Sequence, residues 1–70
     1  MPTYFFHIDG PRPFADETGT ALPDDKSAWE QARVAVRDIE DHLQPGEEWR
    51  LEVVREGEAV FVLTVSSRRV

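Results

Sequence analysis

Trp49-Arg50-Leu51-Glu52-Val53-Val54-Arg55-Glu56-Gly57-Glu58-Ala59-Val60-Phe61-Val62-Leu63-Thr64-Val65-Ser66 decides the fold. Its first half alternates apolar with charged residues, its second half is mostly apolar, and Glu56-Gly57 lies between them. Two runs of β-branched and aromatic residues around a glycine turn read as a β-hairpin of strands Trp49 to Arg55 and Ala59 to Ser66. A three-residue loop of Arg55-Glu56-Gly57 sets Val53 opposite Ala59, Leu51 opposite Phe61 and Trp49 opposite Leu63. That register keeps the large side chains on one face and uses Gly57 at the left-handed position of a G1 bulge. A two-residue Glu56-Gly57 loop moves Phe61 and Leu63 to the other face, so the pattern favours the longer loop.

Upstream of the hairpin, Pro23 is followed by Asp24 and Asp25, either of which can cap the free amides of a helix reaching about His42 or Leu43. Pro45-Gly46 stops it. At 100° per residue, Ala28, Ala32, Ala35, Val36, Ile39 and Leu43 share an arc of about 100°, one buried stripe flanked by Trp29 and His42. Glu30, Arg33, Arg37, Glu40 and Asp41 form the solvated face. His42 suits the negative end of the helix.

Thr3 to Asp9 reads as the first strand, closed by the turn-forming pair Asp9-Gly10. Arg12 to Ala15, next to Pro11 and containing Pro13, reads as a short edge strand, followed by a polar turn from Asp16 to Thr20. The sum is an α+β domain spanning residues 1–70, β-β-α-β-β, a four-stranded sheet with one helix on one face. Strands apolar on both faces belong in the middle, which gives the order 2-1-4-3, and the crossover helix favours parallel middle strands. The expected sheet core is Tyr4, Phe6, Ile8, Leu22, Trp49, Leu51, Val53, Phe61, Leu63 and Val65.

Composition removes several function classes. No cysteine means no disulfide framework, thiolate metal site or cysteine nucleophile. A net charge of −6 repels nucleic-acid phosphates and anionic membranes, with Arg68-Arg69 the only adjacent basic pair. No apolar run approaches the ~20 residues that span a bilayer, and the N-terminus has no secretory pattern, so a cytoplasmic protein is expected. Phosphate loops, G-x-S-x-G elbows and H-E-x-x-H helices are all absent.

One helix covers one sheet face. On the other, alternation places Thr3, Phe5, His7 and Asp9, then Arg50, Glu52 and Val54, then Val60, Val62 and Thr64. Phe5, His7, Val54, Val60 and Val62 form the expected interface, large enough to favour a two-fold homodimer or another protein partner. An acidic surface around Asp16, Glu17, Asp24 and Asp25 suits a basic partner. His7, Asp9 and Asp16 are candidate metal ligands, His7 and Asp9 because they point the same way two residues apart, Asp16 because it lies close by. Tyr4, Phe5 and Phe6 are an aromatic cluster of the kind that stacks nucleic-acid bases, but without the basic groove that accompanies it.

Met1-Pro2-Thr3-Tyr4-Phe5-Phe6-His7, the segment Asp16-Glu17-Thr18-Gly19 and Leu22-Pro23-Asp24 before the helix resemble a family of short proteobacterial proteins. These open M-P-x-Y-F-F-[HD], carry a D-E-x-G-x-x-L-P segment and make up a domain of unknown function. The resemblance spans nearly the whole chain and implies a small standalone protein, with no catalytic residue to carry over. The plan is also loosely similar to the antitoxin halves of toxin–antitoxin pairs, by fold analogy alone. The sequence thus predicts a non-enzymatic, cofactor-free protein-interaction module that self-associates through its open sheet face. A metal- or ligand-responsive protein using His7 and Asp9 is the alternative.

Overall fold

The computed structural model describes residues 1–70. Its elements are β1 (Thr3–Asp9), β2 (Thr20–Ala21), α1 (Asp25–Asp41), β3 (Glu48–Arg55) and β4 (Glu58–Ser66). The α+β class, with four strands and one helix, is as the sequence predicts. The order is not, because the sheet runs β2-β1-β3-β4 and every neighbouring pair is antiparallel.

The parallel relation required by the crossover lies between β2 and β3. Both run antiparallel to β1, which separates them, so α1 makes a split β-α-β crossover. β4 is left at the edge. Apolarity on both its faces does not place it centrally, because one sheet face is uncovered and its residues follow solvent and partners rather than strand position. For the same reason Arg50 and Glu52 do not make β3 an edge strand. Their side chains point away from the helix, while Leu51 and Val53 beneath it are fully buried.

The second strand is also displaced. Arg12 to Ala15 forms no strand; Phe14 alone bridges Ile8 through two 2.8 Å backbone hydrogen bonds, and pairing with β1 resumes at Thr20–Ala21. Pro11 and Pro13 lack the amides that a longer ladder needs.

At the β3–β4 turn, Arg55 pairs with Glu58, leaving the two-residue loop Glu56-Gly57 with φ of 53° and 79°. Positive φ at both residues is the type I′ geometry that matches strand twist. The face expected of the longer loop survives by another device. Val54 pairs with Ala59 but Val53 with Phe61, so Val60 is an extra, bulged residue and Phe61, Leu63 and Val65 return to the side of Val53, Leu51 and Trp49.

Asp24 caps α1, accepting the Ser27 amide at 2.9 Å. The fully buried Ala28 and Ala32 let the helix approach the sheet closely, where they join Tyr4, Leu51 and Val53 in the central cluster. Phe6, Ile8, Leu22, Ala35, Val36, Val60, Phe61 and Leu63 pack around it. Trp29 closes the β4 side, its ring 5.1 Å from that of Phe61. At the other end, the His42 ring lies 3.0 Å from the Asp38 carbonyl, a position suited to the helix C-terminus.

The polar anchor is Tyr4. Its fully buried ring carries a hydroxyl that donates to Asp25 at 2.6 Å, and the Arg55 guanidinium also binds that carboxylate. Burial, reinforced by Asp25, pushes the phenol pKa up.

Leu51→Ala should cost about 2–5 kcal/mol in urea unfolding, because nothing fills the space beneath the helix, whereas the exposed Val34→Ala should stay within about 0.5 kcal/mol. Tyr4 is the single tyrosine, so ultraviolet titration reads it alone. A raised folded pKa makes its contribution to stability complete below the unfolded value near 10 and lost as pH rises through the folded one. Phenolate absorbance should therefore lag that of a free tyrosine and appear together with loss of helical circular dichroism.

Candidate functional site

The uncovered sheet face is a small grid built by the register. Phe5 lies beside Val54; His7 beside Glu52 and then Val62; Asp9 beside Arg50 and then Thr64. Arg50 and Glu52 approach at 3.5 Å, a solvent-exposed pair that contributes little to stability. His7, Asp9, Arg50 and Glu52 rim a depression of about 150 Å³. This is below the ~300 Å³ usual for a small-molecule site.

Above β1 the face is closed by the chain itself. The Asp16 carboxylate accepts amides from Phe6 at 3.2 Å, Thr18 at 3.1 Å and Gly19 at 3.0 Å. It acts as a substitute strand partner for Phe6, filling the gap between the Phe14 bridge and β2. The amides of Gly19 and Phe6, with smaller help from Thr18 and the nearby His7, hold the Asp16 carboxyl below the usual carboxylate range. The Asp16 amide in turn donates to Nδ1 of His7 at 3.1 Å. Gly19, with φ of +76°, sits so near Thr3 and Phe5 that an added Cβ would fall 2.5 Å from the Thr3 methyl and 2.9 Å from the Phe5 ring.

These contacts place each expected site residue. Phe5 is half-buried, beneath Gly19 and stacked on the His7 ring with centroids 6.4 Å apart. Val54 is half-buried, and Val60 packs against the core because of the bulge. Val62 is the large apolar side chain that remains substantially exposed, at 48%. His7 and Asp16 do come together, but through a backbone amide that occupies Nδ1, and Asp9 instead accepts the Gly10 amide at 3.0 Å. No three His, Asp or Glu side chains stand in a metal-binding arrangement. The bracing role of Asp16 was missed from sequence, although Asp three residues before Gly in a polar turn is its signal.

No helix is long and apolar enough to cross a membrane. Residues 3–66 match the family described as a domain of unknown function (DUF6894), and the chain belongs to it. No curated protein and no solved structure matches the chain.

Asp16→Asn tests whether carboxylate charge holds the loop against β1. A depressed folded pKa makes the contribution present above the unfolded value near 4 and lost as pH falls through the folded one. The variant should have a lower urea midpoint than wild type at pH 7, and the gap should narrow as pH falls below 4. A gap independent of pH would assign the loop's stability to shape alone.

Proposed function

We propose that this member of the unknown-function family is a non-enzymatic protein-interaction module that self-associates through the sheet surface its helix leaves uncovered. The observation that carries this reading is Val62, an apolar side chain 48% exposed on that surface, paired with Glu52 and two strands away from β1, over which Asp16 braces its loop. The closed part of the face, over Phe5 and His7, frames the contact instead of forming it. The depression beside His7 is small and the imidazole is engaged, which favours an interaction module over a ligand- or metal-responsive one.

The finer resemblance, to short proteobacterial proteins opening M-P-x-Y-F-F-[HD], belongs to the same reading. It is supported by the structural work of Tyr4, Asp16 and Gly19, all within the quoted motifs. A cytoplasmic setting is supported by the lack of cysteine.

Light scattering after size-exclusion chromatography tests self-association. The mass should climb from 8.0 kDa toward twice that value as concentration rises into the high micromolar range, and the unfolding midpoint should rise with it. A wild-type chain that stays monomeric throughout overturns the reading.

A further inference from the structure

The two edges of the sheet are treated differently by the chain. On the β1 side most outward backbone groups are engaged: the Ile8 amide and carbonyl by Phe14, the Phe6 amide by the Asp16 carboxylate, the Pro2 carbonyl by the Leu22 amide. The β2 strand is two residues long, and Pro11 and Pro13 flank the Phe14 bridge. Short edge strands, prolines and charged groups are devices that prevent further pairing.

β4 has none of these along most of its length. It runs nine residues, with no proline and no charge between Glu58 and Arg68, and its bulge is confined to the turn end. The Ser67 amide donates to the Glu47 carbonyl on the β3 side at 2.9 Å, so by strand alternation the amides and carbonyls of Val62, Thr64 and Ser66 point the other way. No hydrogen bond outside the ladders and helix uses any of those three backbones.

We infer that β4 pairs antiparallel with β4 of a second copy about a two-fold axis near Val62, joining two sheets into one of eight strands. This rests on the self-association reading and moves its contact from the uncovered face as a whole to the β4 edge of that face, where Val62 lies. A second copy fits for three reasons. An antiparallel edge is complementary to itself under two-fold symmetry. Reversal brings the turn bearing Glu56 and Glu58 against the end bearing Arg68 and Arg69, pairing opposite charges at both ends of the seam. The axis also sets the two exposed Val62 side chains side by side on the uncovered face, burying them. The helix residues that line a depression with Leu63 of β4, Arg33, Arg37 and Glu40, carry both signs and set up no single-sign barrier.

Sedimentation equilibrium on wild type, Val62→Pro and Val54→Lys separates the alternatives. Val62→Pro removes the outward amide and leaves the β3 ladder intact, so the dimer should weaken about ten- to a hundredfold, two hydrogen bonds being lost across the axis. Val54→Lys charges the face of an interior strand away from the seam and should leave dimerisation within about threefold of wild type. The reverse pattern, dimer kept in Val62→Pro and lost in Val54→Lys, overturns edge pairing in favour of face-to-face packing while self-association stands. A monomeric wild type overturns both. Amide hydrogen exchange decides the matter even if Val62→Pro fails to fold. Exchange at Val62 and Thr64 should slow as wild type is concentrated, and unchanged exchange at those amides while the mass doubles rejects the seam.

Discussion

The hydroxyl of Tyr4, donated at 2.6 Å to Asp25, fixes where the helix starts over the sheet, and the position of the helix decides what the molecule leaves bare. Asp25 is the first residue of α1, Tyr4 lies on an interior strand and Arg55 ends β3, so one carboxylate links three elements. A tyrosine can serve here because its ring fills core space while its one polar atom reaches a partner at the rim. From that anchor the helix lies over β3 and β4, its buried alanines pressed against Leu51 and Val53. A single helix of this length shields one face. The opposite face, and the edge of β4, are left to the rest of the chain or to another molecule.

The bulge at Val60 settles the chemistry of both sheet faces. The type I′ turn suits strand twist, but carried without interruption its register would turn Phe61 and Leu63 outward. One unpaired residue restores them to the helix side, and Val60 follows them into the core. The outward side of β4 is then Ala59, Val62, Thr64 and Ser66, with the small Ala59 opposite Val54 where strict alternation predicts Val60. The bulge thereby stabilises the core and narrows the exposed patch to one valine.

Asp16 does comparable work on the other edge. A carboxylate that accepts three amides replaces the missing middle of a strand, and its own amide orients the His7 ring. Of the three candidate ligands His7, Asp9 and Asp16, the first and last are used to secure a loop, while Asp9 accepts the neighbouring Gly10 amide. An acidic residue beside a histidine is ambiguous in sequence because both a metal ion and a backbone amide bring such groups together, and only the position of the amide distinguishes them.

Much of the architecture was legible from local chemistry. Asp24 at the cap, the Ala28 to Ile39 stripe, β1 and the apolar face of the hairpin all express short-range rules of capping and periodicity, which any correct fold must satisfy. Strand order was not legible, because apolar residues on both faces of β4 are compatible with the middle of a sheet or with an edge awaiting a partner. Nor was the turn, since a two-residue loop with a bulge and a three-residue loop put the same side chains on the same face. By itself, then, the sequence determined which residues must be buried and the α+β class, through the free energy of removing apolar surface from water. Only the tertiary structure decided that β1 and β3 share the middle, that Asp16 closes one edge and that β4 leaves the other open. Those outcomes depend on where backbone hydrogen bonds end up, and backbone groups are the same at every non-proline residue.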